Sequence, residues 1–389
     1  MRQTSTSDYL AAFMAALADD PATIGGSFWV LDDATPALPD LLGEVGARYE
    51  VAVPRVRVPV CLVRHLPSAL SHVDPETLSF LASDRYPTAT AEEVASRAGL
   101  TMPDLGAALG RWADHLAAQR FGKGAGRQRR AYVDIAGVTT FHYGDQRAAS
   151  ILLPGLPLNA DSWIPVVDRV PGLRSVDLPG LGASRGDIRR DPGGWLDALT
   201  SGGGVRLVGH SIGAEYALRA AVAHPQRVEE LVLVAPYFLQ DPPGAIARHP
   251  KAVGASLRRI RPARLSKTLT GEGHHAASVA SAVEDLRRGS VARHTATLFA
   301  RAATAEHRAR VRELFAKWQG PVHVIVGSDD PLSDAGAELA GGCAHARVTV
   351  IDGAGHHPHL THPEQLADLL DTSANMPVEE VFGLPDRRA

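Results

Sequence analysis

The chain has 389 residues, of which 45% are hydrophobic and 21% charged, with a formal net charge of −3 at pH 7. That length exceeds what one hydrophobic core usually organises, so two domains are expected. The near-neutral balance excludes a global attraction for nucleic acid or an anionic membrane, and the two cysteines, Cys61 and Cys343, fit neither a metal pattern nor a disulfide framework, which points to a reducing cytoplasm.

The first apolar run, Leu10 to Leu17, is too short to span a bilayer and meets Asp19 and Asp20 instead of a cleavage site, so it reads as an amphipathic helix. Strand-like stretches follow at Ser27 to Leu31 and Val51 to Val63, then helical patterns at Pro75 to Leu81, Ala91 to Ala98 and Met102 to Gln119. Thr90 to Trp112 has the layout of a helix-turn-helix, with Gly99 in the turn and Pro103 near the next helix start. Strands before three helices predict a small α+β winged-helix-like module in residues 1–130, closed by the basic linker Arg120 to Arg130.

From Ala131 short apolar strands alternate with helices, as a parallel α/β sheet requires. Strand runs fall at Tyr132 to Thr139, Ser150 to Leu153, Arg174 to Leu178, Val205 to Val208, Glu230 to Val234, Val322 to Val326 and Val348 to Ile351. Helical runs fall at Gly213 to His224 and Glu364 to Leu370. Residues 237–319 lack strand signals but carry helical patterns at Ser278 to Arg287 and Ala305 to Trp318, as a helical lid over a pocket would. The core is thus expected in two parts, 131–236 and 320–375, followed by a tail, 376–389.

The sharpest motif is Gly209-His210-Ser211-Ile212-Gly213, where an apolar strand turns into a helix. So tight a turn needs small flanking residues, and it lifts a serine hydroxyl above the strand ends at a helix N-terminus. A serine hydroxyl is a weak nucleophile that needs a base held by a third group. Asp330 follows Ser211 by 119 residues and His356 follows Asp330 by 26, each just after a strand, where sites in open α/β sheets concentrate.

With this order of residues the chain resembles the α/β-hydrolase family from Ala131 to about Leu370. GSDDP matches that family's acid loop and GAGHHPH its base loop, which implies Ser211 as nucleophile, Asp330 in preference to Asp329 as acid, and His356 in preference to His357 or His359 as base. One oxyanion donor is the N–H of Ile212, directly after the nucleophile. The resemblance implies the N–H of Leu156 as the second, although Pro154-Gly155 stands where the family usually has His-Gly. The DLPGLGAS run, Asp177 to Ser184, matches a structural loop. A serine at the elbow argues against dehalogenase and epoxide-hydrolase chemistry, which the family performs with a carboxylate there.

His356, His357, His359 and His362 crowd seven positions, yet no Cys or carboxylate spacing supports a metal site, and no cofactor or metal is expected. His274 and His275 read as solvent-facing. Glu215, one helical turn past Ser211, could touch substrate; a carboxylate satisfied by a nearby Arg or backbone donor is the simpler reading. Arg120, Lys123, Arg127, Arg129 and Arg130 could meet phosphates, but the second helix offers Asp104 and Asp114 against the single Arg111, so no nucleic-acid partner is expected. The N-terminal layout resembles leader-peptide recognition modules of enzymes that modify ribosomally made peptides. That likeness implies an acyl ester or thioester substrate, on a carrier protein or passed to a peptide, as in the α/β-hydrolase-fold acyltransferases that move an indolyl group from a carrier to a thiopeptide precursor. Three readings stand: a serine hydrolase or acyltransferase, with a generic carboxylesterase or carbon–carbon bond hydrolase as the alternative within it, a ligand-sensing regulator with a hydrolase-like pocket, and a docking protein acting through its N-terminal module.

Overall fold

The computed structural model describes residues 6–53, 85–123, 129–188, 191–240, 249–330 and 346–372. The chain separates into two compact units, Met1–Ala117 and Ala118–Ala389. The first contains helices α1 (Thr6–Asp19), α2 (Leu38–Arg48) and α3 (Ala89–Arg97) and most of α4 (Leu105–Ala118). Tyr9 and Phe13 of α1 bury against Ala91, Val94 and Ala95 of α3, the inward stripe of two amphipathic helices. Gly99 takes a φ of +65° between α3 and α4, a conformation that costs a glycine least.

Two readings of this unit change. Ser27 to Leu31 forms no strand despite its Phe, Trp and Val, because a strand exists only where another pairs with it. The described residues of this unit are therefore helices and loops and do not support the α+β winged-helix-like reading. Leu38 to Arg48, which had no assignment, is helical, with Pro39 in its first turn where the absent N–H costs nothing. Most of Val51 to Val63, all of Pro75 to Leu81 and both cysteines lie outside the described residues. Asp114, weighed as a charge repelling phosphate, is engaged by Arg48, whose Nε donates to Oδ1 at 2.8 Å.

The second unit is built on one eight-stranded sheet in the order β1-β2-β4-β3-β5-β6-β7-β8. Its strands are β1 (Arg130–Ile135), β2 (Val138–Gly144), β3 (Ser150–Leu153), β4 (Leu173–Val176), β5 (Val205–His210), β6 (Val228–Val234), β7 (Val322–Gly327) and β8 (Ala346–Ile351). β2 runs antiparallel to both β1 and β4, and the remaining pairs are parallel. The run Tyr132 to Thr139 is therefore not one strand but most of β1, a reversal and the first two residues of β2: Ala136 and Gly137 take φ of +51° and +78° where the chain turns, and Thr140 to Gly144, which had no assignment, completes the hairpin.

Successive residues of the central strands point to opposite faces. Leu207, Leu231, Leu233 and Val324 join Leu218 and Ala221 in one core, while Val208, Val232, Val234 and Ile325 join Trp163, Leu366 and Leu370 in the other. The covering helices are α5 (Ile164–Val167), α6 (Gly193–Leu199), α7 (Ile212–Ala223) and, beyond the sheet, α13 (Pro358–Thr361) and α14 (Pro363–Thr372). Between β6 and β7 the chain inserts α8 (Pro250–Arg259), α9 (Pro262–Thr270), α10 (Ala276–Leu286), α11 (Val291–Ala302) and α12 (Ala305–Lys317). Val279, Ala282 and Val283 of α10 bury against Leu158, which follows β3, and Leu360 of α13.

Three arginines of the basic linker are paired within this unit. Arg120 lies 2.5 Å from Asp161 and 2.9 Å from Asp285, Arg130 lies 2.7 Å from Asp161, and Arg129 lies 2.5 Å from Asp168. These three arginines neutralise carboxylates of this unit. Among the described residues no helix is long and apolar enough to cross a membrane.

Candidate active site

The site begins where β5 runs into α7. Ser211 holds φ at +52°, a strained value for a residue with a side chain, and strain of this kind collects where it points a group at a site. The flanking glycine follows from contact: a Cβ on Gly213 would come 2.0 Å from the Leu153 carbonyl oxygen. Gly155 is pressed as hard, since a Cβ there would lie 2.4 Å from His210 Nδ1 and 2.7 Å from Ser211 Cβ. The backbone before Leu156 thus abuts the serine on one side. On the other, Ile212 opens α7, so its N–H is among those with no acceptor inside the helix.

β7 and β8 bring up the remaining groups. The Ser211 hydroxyl donates to His356 Nε2 at 3.1 Å, and His356 Nδ1–H donates to Asp330 Oδ2 at 2.9 Å. Asp330 is 2% exposed, whereas Asp329 is exposed and accepts from its neighbour Ser328 Oγ at 3.0 Å. The three residues singled out from 145 residues of separation stand in one hydrogen-bonded line.

A layer of buried histidines underlies His356. His210 Nε2–H donates to the His356 carbonyl at 2.9 Å, and His359 stacks on Trp163 with centroids 4.0 Å apart and planes 6° from parallel. Burial, with the neighbouring His356 charge, pulls His210 down to about 3, and His357 and His359 are also held well below the ordinary histidine range by burial first. These rings are neutral at pH 7 and act as packing beneath the base. Ligand atoms of His210, His357 and His359 lie within 4.8 Å of one another, as do those of Glu272, His274 and His275. These are the two groups among the described residues with the proximity to hold a metal ion.

Glu215 is fully buried and does not point into the triad. Its carboxylate accepts from Tyr237 Oη at 2.5 Å, Arg219 Nε at 2.9 Å and His307 Nε2 at 3.0 Å, with Arg301 at 3.5 Å. Burial alone would raise its pKa, but the His307 hydrogen bond, the Arg301 charge and the Tyr237 hydroxyl together bring it down to about 2. Asp177, in the loop read as structural, accepts the N–H of Ala160 at 2.6 Å and of Ala183 at 2.7 Å, while burial and nearby Asp285 push it up to about 8.

One participant had no sequence signal. Gln240, 3% exposed, donates Nε2–H to the same Asp330 Oδ2 at 2.6 Å. It follows β6 by a few residues with no motif around it, and only the fold brings it to Asp330.

Residues 151–369 match the sequence profile of the alpha/beta hydrolase family, and the chain belongs to that family. It is 30% identical over 235 residues to the pimeloyl-[acyl-carrier protein] methyl ester esterase of Xanthomonas campestris pv. campestris, a match covering 57% of this chain and 93% of the relative. The pimeloyl-[acyl-carrier protein] methyl ester esterase of Nitrosomonas europaea is 30% identical over 244 residues, again covering 57% of this chain and 93% of the relative. Among solved structures, an esterase from Exiguobacterium antarcticum superposes with a TM-score of 0.52 at 16% identity, over 63% of this chain and 99% of that one. That likeness concerns the fold alone.

Proposed function

We propose that the chain is a serine-dependent enzyme acting on an acyl ester or thioester through an acyl-enzyme on Ser211. The observation that carries this reading is the line from Ser211 through His356 to Asp330, at 3.1 and 2.9 Å. In it His356 takes the serine proton as Oγ attacks the carbonyl carbon, Asp330 orients the ring and stabilises the imidazolium, and the N–H groups of Leu156 and Ile212 hold the oxyanion. The ester or thioester bond then breaks, with His356 returning its proton to the leaving oxygen or sulfur. Water or a second nucleophile, activated by the same ring, releases the acyl group and restores Ser211.

The helical insertion acts as the lid in this reading, excluding water from the acyl-enzyme. The N-terminal module binds the carrier protein or a peptide acceptor, and the reaction belongs to bacterial peptide natural-product assembly, in the manner of thiopeptide acyltransferases. Support for a carrier-borne substrate comes from the curated relatives, which are named for esters on acyl-carrier protein. The same relatives favour a second reading, plain ester hydrolysis with water as the only acceptor.

Intact-protein mass spectrometry tests both. Mixing the enzyme with a panel of aliphatic and aromatic acyl thioesters and methyl esters should add one acyl mass, or give turnover, that vanishes in Ser211→Ala. An acyl-enzyme that persists in water until a peptide is added supports transfer, and one discharged at once by water supports hydrolysis. Turnover retained in Ser211→Ala overturns the serine mechanism.

A further inference from the structure

We propose that Gln240 is a positioning residue of the triad acid, and that α12 of the lid holds it in place. The inference rests on the reading of Ser211, His356 and Asp330 as a working triad. Gln240 Nε2 and His356 Nδ1 both donate to Asp330 Oδ2, at 2.6 and 2.9 Å. An ionised carboxylate only accepts, so the Gln240 amide must turn its nitrogen toward Asp330. Two donors on one oxygen hold it in a single position, and the glutamine draws off part of the charge that would otherwise face the imidazole. Gln240 therefore sets both the aim of the acid and how strongly it favours the imidazolium.

What places Gln240 is equally specific. The turn from Tyr237 to Gln240 closes with Leu239 N–H on the Pro236 carbonyl at 3.0 Å and Gln240 N–H on the Tyr237 carbonyl at 3.2 Å. Arg308 of α12, 3% exposed, donates Nη1 to the carbonyls of Tyr237 and Gln240 at 2.5 Å each and Nε to that of Ala302 at 2.7 Å. Arg312, one turn on, donates to the Phe238 carbonyl at 2.7 Å. Three carbonyls of the turn are thus held by two arginines of one lid helix. A shift of α12 would reach His356 through Gln240 and Asp330.

Among the described residues the charged and titratable groups around the pair come from β5, the base loop and α12. His210 at the end of β5 and His357 on the base loop neighbour His356, His359 lies beneath them, and the Arg308 and Arg312 charges end on the turn carbonyls. Removing the Gln240 donor returns to Asp330 Oδ2 the share of charge that the amide draws off, which stabilises the imidazolium and raises the pH at which activity is lost on the acid side.

The test is the pH dependence of kcat and kcat/KM for Gln240→Leu and Gln240→Glu, with p-nitrophenyl acetate as substrate and rates normalised to the acyl burst so that unfolded protein does not count. Gln240→Leu should lower kcat about tenfold with KM little changed and move the acid limb up by roughly half to one pH unit. In Gln240→Glu, a protonated carboxyl donates where the amide did and an ionised one repels Asp330, so its rate relative to the parent should fall as pH rises. Both variants following the parent profile, even at lower rates, would overturn the positioning role and leave a structural one. Ser211→Ala, run alongside, separates the failures: if it keeps turnover, the triad reading itself is at fault.

Discussion

Two of the carboxylate–histidine pairs in this unit, Asp330–His356 and Glu215–His307, are nearly alike in length, at 2.9 and 3.0 Å, and in the proposed mechanism only the first does chemistry. The difference is in what surrounds them. Beyond His356 the second ring nitrogen reaches Ser211 at 3.1 Å, and the side chain keeps 19% exposure, so a proton can pass to and from substrate. Around Glu215 every direction is taken by Tyr237, Arg219 and Arg301, and His307 lies flat along the Tyr237 ring at 13°. A buried acid–imidazole pair becomes chemistry only when its far side is left for a nucleophile; otherwise it is a knot between α7 and α12.

The comparison is broken most directly at the nucleophile. Ser211→Ala should lower kcat by about 10⁴-fold or more, and a double variant with His356→Ala should lose scarcely more than either alone, because the groups act as a unit. Steady-state kinetics with a near-parent melting temperature checks it. Glu215→Ala should show the reverse pattern. It strips one partner from a buried ionic cluster, at a cost of roughly 3–5 kcal/mol of stability, while kcat per correctly folded molecule stays near the parent value. A Glu215→Ala protein that melts normally but turns over slowly would merge the two clusters into one catalytic site.

The sequence made the first cluster legible and the second opaque for the same physical reason. Ser211, Asp330 and His356 each sit on a turn whose local chemistry is written in neighbours: Gly213, which a Cβ would drive into the Leu153 carbonyl, Gly327, which a Cβ would drive into the Ala354 carbonyl, and loops that close parallel strands. Six of the eight strands were readable as apolar runs, since a parallel sheet covered on both faces needs nothing but burial. The first run was carried past the end of β1 into Val138 and Thr139 because Gly137 alone marks the reversal between apolar neighbours, and the rest of β2 went unassigned. Glu215 stood out as a misplaced charge, but Tyr237, Arg301 and His307 are neighbours only after the insertion folds back on α7. Gln240 and Asp330, 90 residues apart, leave no local trace of their contact. In the first unit Ser27 to Leu31 misled because β-propensity was read without a pairing partner.

Acid titration sharpens the contrast. The folded pKa of Glu215, about 2, lies below its ordinary 4.5, so the unfolded chain binds a proton first as pH falls. Its contribution to stability is therefore complete above about pH 5 and lost between 4.5 and 2, on the order of 3 kcal/mol from the shift. Urea unfolding at a series of pH values should show the gap between the parent and Glu215→Gln narrowing over that window. A gap that stays constant down to pH 2 would mean that packing, and not charge, is what Glu215 supplies.

The smallest effect is expected in the first unit. Arg48 and Asp114 pair with side chains 36% and 19% exposed, so water and salt weaken their attraction. Arg48→Ala should cost about 0.2–1 kcal/mol by urea unfolding, and should leave turnover of a small ester unchanged. The same variant is the gentlest probe of the N-terminal module, since it perturbs how α2 meets α4 without touching the sheet. Slower turnover of a carrier-bound or peptide-directed substrate, with the small ester unaffected, would tie that unit to partner binding. An equal loss on both substrates would tie it to the catalytic line instead, and the division of labour between the two units would fall.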